Sequence, residues 1–231
     1  MVSSNGEDNI MSRRHYLTSR LPSAYQELQY VQNNGAAAFK VPYVLEGNTP
    51  GFILRYGMPA AYGGTLPVFG VRGGSTASNR NCYFAVQMLD SDSTASTADK
   101  LNFIRLVGTS STSQLLGYNY NTGGIKECSE INLVVTQCDG TTVTLTSLKQ
   151  TGNYDYIGIG SIWQRGSSAY VAGTNRVYYI GYLALLHGTT KDYEFIPALR
   201  KSDNKVGMYD MVSGNFYASE TGTEFVAGPA A

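Results

Sequence analysis

The sequence predicts an all-β protein, an antiparallel β-sandwich behind an extended N-terminal arm. Three observations lead there. Among 231 residues, 26 are Gly and 18 are Tyr; Tyr favours a pleated surface and Gly supplies positive φ, so this suits short strands joined by tight turns. Apolar or alternating segments recur between turn signals roughly every 8–12 residues. No stretch of ~10 residues carries a convincing helical period, which excludes parallel βαβ architectures.

Residues 1–20 read as the arm. Apolar residues are sparse there, and Glu7 and Asp8 precede Arg13, Arg14, His15 and Arg20. A polar segment of this kind orders against a partner. Arg13, Arg14, Tyr16 and Arg20 are the residues expected to anchor it, through charge-assisted hydrogen bonds and stacking. The alternative is a frayed terminus with Arg13-Arg14 as a solubilising pair.

Nothing in the composition of residues 21–231 marks a second domain. Residues 24–32 alternate, with Tyr25, Glu27, Gln29 and Val31 on one face and Leu28 and Tyr30 on the other. Strands follow at 37–45, 51–56, 66–72 and 81–90, the last two separated by a polar loop at 73–80. Residues 90–100 open with Asp-x-Asp, like a calcium loop. Ala95 stands where such a loop needs Gly, and Leu101 where it needs Glu, so a solvated loop is the better reading. Residues 101–107 and 114–120 are strands, followed by an Asn-Thr-Gly-Gly turn. Residues 130–137 and 141–149 flank Cys138-Asp139-Gly140, a strong hairpin signal. In the second arm Val143 and Leu145 alternate with threonines, one face buried and one wet. Residues 154–163 form the next strand. Residues 176–186 are apolar on both faces and predict a central strand. The end reads as strands in KDYEFIPALR, KVGMYDM, FYAS and GTEFVAG.

Lys+Arg and Asp+Glu are both 17, a net charge of zero. That argues against general nucleic-acid binding, which needs excess cations to displace counterions, and against attachment to a membrane surface. No apolar run approaches the ~18 residues of a membrane span. The N-terminus has no apolar h-region, so no secretory signal peptide is expected. Cys82, Cys128 and Cys138 then read as reduced thiols, with a Cys128–Cys138 disulfide the lesser alternative.

No catalytic or cofactor motif emerges. G-x-S-x-G, the phosphate-binding loop and H-E-x-x-H are all absent. His15 and His187 are far apart, and His187 reads as a strand-end residue rather than a base. Cys128 and Cys138 lack the spacing of a zinc site. A sandwich-type glycoside hydrolase needs two carboxylates about 5–9.5 Å apart in a groove. Asp192 and Glu194 are two residues apart and would share a strand face, as would Asp90 and Asp92. The plainer expectation for Asp192 and Glu194 is solvated residues on a sheet edge.

Sugar-binding surfaces set aromatic faces against pyranose rings and planar polar groups against hydroxyls. The candidates are Tyr118 and Tyr120 with Asn119, Tyr62 among small residues, and Trp163 with Arg165 at a loop entrance. Each has a plainer reading as an ordinary strand aromatic, and a sole Trp in a sandwich usually belongs to the core.

The two ends carry a resemblance. Residues 21–31, LPSAYQELQYV, resemble the L-P-x-x-Y-x-x-[LV]-x-Y-[IV] opening of a domain family common in phages, prophages and gut-bacterial surface proteins. Phe195-Ile196-Pro197, then Val206-Gly207-Met208-Tyr209-Asp210, Phe216-Tyr217 and Gly222-Thr223-Glu224-Phe225 resemble its close. The family implies a concanavalin A-like, laminin-G-like jelly roll. Its usual T-G-T-Q-Y-I-D-T-G segment is replaced here by NNGAAAFKV at 33–41, and no metal motif of the legume-lectin kind is visible. The matched residues also suit structure: Asp210 with Ser213-Gly214 for a hairpin turn, Phe216 for the core and Tyr217 for the rim. In such a fold the first and last strands lie together, so the arm emerges beside the C-terminus.

The resulting expectation is a non-enzymatic phage virion protein, a capsid decoration, head fibre or tail component assembled in the host cytoplasm. Its arm would bind other virion proteins and its lectin-like head would bind glycans. A homo-oligomer is plausible, with no nucleic acid and no membrane insertion. The alternatives are a bacterial cell-surface glycan-binding module and a sandwich-fold glycoside hydrolase.

Overall fold

The computed structural model describes residues 20–33, 35–45, 50–59, 66–73, 82–89, 100–107, 110–117, 124–145, 156–171 and 177–231. The predicted arm therefore lies outside the described residues except for Arg20. In chain order the strands are β1 (Tyr25–Glu27), β2 (Val31–Asn33), β3 (Phe39–Val41), β4 (Pro50–Gly57), β5 (Leu66–Arg72), β6 (Cys82–Leu89), β7 (Lys100–Val107), β8 (Ser110–Gly117), β9 (Lys126–Ile131), β10 (Val134–Thr136), β11 (Thr142–Thr144), β12 (Ile157–Ile159), β13 (Ile162–Gln164), β14 (Ala169–Tyr170), β15 (Tyr178–His187), β16 (Thr190–Arg200), β17 (Lys205–Asp210), β18 (Phe216–Ala218) and β19 (Val226–Ala227).

They form two sheets. One runs β11-β10-β9-β4-β15-β16-β17-β18, with β1 on β16 and β2 joining β15 to β19; the other runs β14-β13-β5-β6-β7-β8, with β12 joining β3 to β5. Pairing is antiparallel except between β13 and β5. The fold is thus the all-β antiparallel sandwich that the alternation implies. Aromatic rings interlock between the layers: Phe52 of β4 meets Phe69 of β5 at 5.2 Å and Phe103 of β7 at 5.1 Å, both edge to face. Such pairs add about 0.5–1.5 kcal/mol each beyond the area they bury.

The apolar run at 176–186 does become a central strand. β15 pairs with β4 along one side and with β16 and β2 along the other. Leu183 and Leu185 enter the inter-sheet core, while Tyr182 and Ala184 enter a smaller cluster with Leu21, Ile196, Ala198 and Tyr209 on the outer face.

Several boundaries differ from expectation for local reasons. Residues 24–32 are not one strand. The chain leaves β16 after Glu27 and joins β15 and β19 at Val31, and Leu28 and Val31 are both buried. Residues 154–163 reverse at Gly160, whose φ is 83°; β12 runs antiparallel to β5 and β13 parallel to it. A Cβ at Gly160 would lie 2.4 Å from the Ala37 carbonyl oxygen. The stretch at 130–137 contains a turn, because Asn132 and Leu133 adopt φ of 49° and 69°. Glu130 holds that turn by accepting the Leu133 N–H at 2.7 Å. The Asp139-Gly140 hairpin forms as expected, with Gly140 at φ 87° and Thr141 N–H donating to Asp139 at 2.9 Å. Phe216 and Tyr217 exchange roles: Tyr217 stacks on Phe39 beside the inter-sheet core, and Phe216 packs on the outer cluster under Arg200.

The first and last strands meet. Gln29 N–H donates to Pro229 at 2.9 Å and Ala231 N–H to Glu27 at 3.1 Å. Cys128 and Cys138 are not joined in a disulfide, and Cys128 is buried.

Candidate ligand-binding groove

Where β15 turns into β16 the sandwich opens into a groove of about 620 Å³, lined by Pro42, Tyr43, Val44, His187, Lys191, Asp192, Tyr193 and Val212. Its shape begins with a bulge. The β15–β16 register shifts so that Leu185 faces Tyr193 and Leu186 faces Lys191. Asp192 is the extra residue, and a bulge re-aims such a side chain. Its carboxylate meets His187 Nδ1, while His187 Nε2 contacts the Val44 carbonyl at 2.7 Å. That carbonyl can only accept, so Nε2 carries a proton. Both ring nitrogens of His187 thus have partners in the groove wall.

The aromatic wall comes from two elements. The Tyr43 hydroxyl donates to the Leu186 carbonyl at 2.6 Å, and its ring lies 5.0 Å from the His187 ring. Burial, followed by the nearby Asp192 charge, pushes this phenol far above the ordinary tyrosine value, so it remains a donor. Tyr193 donates to the Pro42 carbonyl at 2.7 Å and stacks flat on Phe195 at 5.4 Å. Its phenol is pushed up to about 12, chiefly by burial.

Lys191 donates to Glu194 at 2.6 Å, and Tyr182 donates to the same oxygen at 2.9 Å. Burial raises the Glu194 carboxyl, but these two donors outweigh it and hold the group below its usual value; Lys191 is raised by the same contact. Val212 forms a lip and is 53% exposed, and Val44 opposite is 47% exposed. Val212 is held out by the turn after β17. Buried Asp210 accepts the N–H groups of Glu194, Val212 and Ser213 and the Ser213 hydroxyl. Gly214 closes that turn at φ 76°. The sequence singled out Asp210, Ser213 and Gly214 as a turn; the structure adds that this turn borders a groove.

Asp192 lies at the end of β16 that pairs with β15 but not with β17, whose pairing begins at Phe195; its carboxylate meets His187, and that of Glu194 meets Lys191.

The expected sugar site at Trp163 is closed. Trp163 is only 9% exposed, its ring lies 4.0 Å beneath the Lys40 ammonium, and Tyr170 packs edge-on at 5.2 Å. Tyr170 in turn donates to Glu220 at 3.0 Å. Arg165 is exposed and begins a 3-10 turn. Tyr62, Tyr118, Asn119 and Tyr120 lie outside the described residues, as do Arg13, Arg14 and Tyr16. Arg20, expected as an anchor, is engaged within the domain: its Nε donates to Glu27 at 3.1 Å. It borders a second depression of about 510 Å³ with Glu27, Arg55 and Ala231 at the junction of the two ends. There Arg55 is likewise paired, with Glu127.

Sequence reading missed Tyr43, Lys191, Tyr193 and Val212 and gave His187 no role. The available signal was the short hairpin His187-Gly188-Thr189-Thr190, which places aromatic and charged residues at one strand end. Tyr43 and Val212 are distant in sequence and carried none.

Among the described residues no group of three or more His, Cys, Asp or Glu is placed to hold a metal ion, and no helix is long and apolar enough to cross a membrane. No family model matches the chain, and a search of curated proteins finds no match.

Proposed function

We propose that this chain is a non-enzymatic virion component whose β-sandwich is displayed on a phage particle and binds surface glycans. The observation that carries the reading is that the arm's junction and the groove's aromatic wall lie on opposite faces of β16, while Lys191 of the groove turns to the junction's face, over Tyr182. Leu21, where the arm joins the domain, packs with Ile196 and Ala198 on the outer face, beside the paired C-terminal residues. Tyr193 packs toward the inter-sheet core and lines the groove. Leu21 thus starts the arm away from that aromatic wall. The resemblance of both ends to phage and surface-protein domains, and the polar arm with Arg13, Arg14 and Tyr16, support the same reading.

Binding suits the groove better than hydrolysis. Asp192 is engaged by His187 and Glu194 by Lys191, and both His187 nitrogens have partners. Glycosidic cleavage needs one carboxyl to give a proton and another to attack or to activate water.

The test has two arms. A glycan array probed with the full chain is expected to return a restricted set of ligands, without cleavage. Deleting residues 2–19 is expected to abolish incorporation into particles while the domain stays folded by circular dichroism. An array with no ligand removes the glycan reading, and normal incorporation of the shortened chain removes the tether.

A further inference from the structure

We infer that the groove between Val44 and Val212 takes a neutral hexose residue, in preference to an acidic or amino sugar. This rests on the glycan-binding reading and assigns its site and ligand class.

The first ground is charge. Of the charged side chains that line the groove, Lys191 is matched by Glu194, and Asp192 is already engaged by the His187 ring. An acidic sugar has to compete with Glu194 for Lys191 while facing Asp192. An amino sugar has to displace His187 or Lys191 from its partner. Either loses a pair already made and pays desolvation besides. A neutral polyol meets neither penalty.

The second ground is the arrangement of surfaces. Asp192 holds His187 through Oδ2, which leaves Oδ1 to accept from a sugar hydroxyl. The Asp192 and Lys191 side chains remain 34% and 38% exposed, so the groove keeps polar surface beside its apolar wall. Val44, Val212 and Tyr193 supply apolar surface around them. Apolar contact for the C–H face of a pyranose, with a few fixed polar groups for its hydroxyls, is the usual economy of a small-ligand site. The volume, about 620 Å³, lies within the roughly 300–1,000 Å³ of such sites.

The experiment titrates the full chain with neutral gluco- and manno-oligosaccharides and with oligogalacturonate, by calorimetry at low and high salt. Val212→Asp changes an exposed lip and Asp192→Asn keeps the side-chain shape, so both are expected to fold. The expected result is binding of a neutral oligosaccharide that changes less than about twofold with salt, because no net charge is neutralised. Each variant is expected to weaken it about tenfold or more. Preferential, salt-sensitive binding of oligogalacturonate overturns the inference, as does neutral-sugar binding that both variants leave intact; in either case the glycan-binding reading survives. Absence of binding to every saccharide, here and on the array, overturns both.

Discussion

Two regions of this sandwich have similar ingredients and opposite outcomes. Around Trp163, three aromatic rings gather with Lys40 and Glu220. Around Tyr193, two tyrosines gather with His187, Lys191 and Asp192. In the first, the protein's own ammonium covers the ring and the indole is buried in the core. In the second, His187 and Lys191 pair sideways with carboxylates on the same hairpin, and the space between Val44 and Val212 stays open. Aromatic and polar residues at a strand end therefore do not make a site. A site also needs the neighbouring elements to leave the surface uncovered.

The sharpest way to break this comparison is Trp163→Ala. If the indole is core, its loss creates a cavity and costs about 3–5 kcal/mol, read from the denaturation midpoint. Saccharide binding by the protein that remains folded is expected to be unchanged. A loss below about 1 kcal/mol accompanied by abolished binding would reverse the roles of the two regions.

A second test uses a polar pair sealed between the sheets. Arg105 on β7 and Glu130 on β9 are both fully buried, with Nη1 and Oε1 3.6 Å apart. Burial pushes the Glu130 carboxyl up to about 7 despite the opposing Arg105 charge. A carboxyl whose native pKa is raised is favoured in its protonated form by folding. Its contribution is fully present below about 4.5 and is lost as pH rises through about 7. Stability is expected to fall between those values by at most about 3 kcal/mol. Glu130→Gln should flatten the slope. Asp203, held down at about 2 by Arg200, acts in a separate window: its contribution is lost only as pH falls from about 3.8 towards 2.

A third and smaller effect concerns Asn33, in the closed region next to β13. Its amide nitrogen lies 2.7–2.8 Å from Ala37 O, Gly160 O and the Tyr178 hydroxyl, and its Oδ1 accepts from Gly35 and Ala37. Asn33→Ala leaves buried groups unpaired and is expected to cost about 2 kcal/mol in chemical denaturation. An unchanged midpoint would mean that water replaces those bonds.

The smallest expected change in stability comes from the groove itself. Lys191→Met removes a half-exposed pair and is expected to cost under about 1 kcal/mol. It also strips Glu194 of its cation, so the groove becomes net negative. A basic oligosaccharide such as chitosan trimer should then bind more tightly than to the unaltered chain, in a parallel titration.

Much of this was legible from residue order. The both-face apolar run of β15 implied a central strand because burial on two sides requires it. Asp139-Gly140 and Asp210 with Gly214 implied turns, because Gly reaches positive φ without strain and Asp caps nearby N–H groups. The Asn132-Leu133 turn was not legible. Leu at positive φ is unfavourable locally and is held here by the Glu130 carboxylate.

Sequence by itself determined the sandwich, its central strand and its tight turns, since period-two alternation and turn chemistry act within a few residues. Tertiary structure alone decided which aromatic rings are covered and which border open space. Lys40 reaches Trp163 across 123 positions, and Tyr43, His187 and Val212 meet from three separate segments. Contacts between segments so distant in the chain depend on how the two layers stack, and no local pattern of residues encodes them.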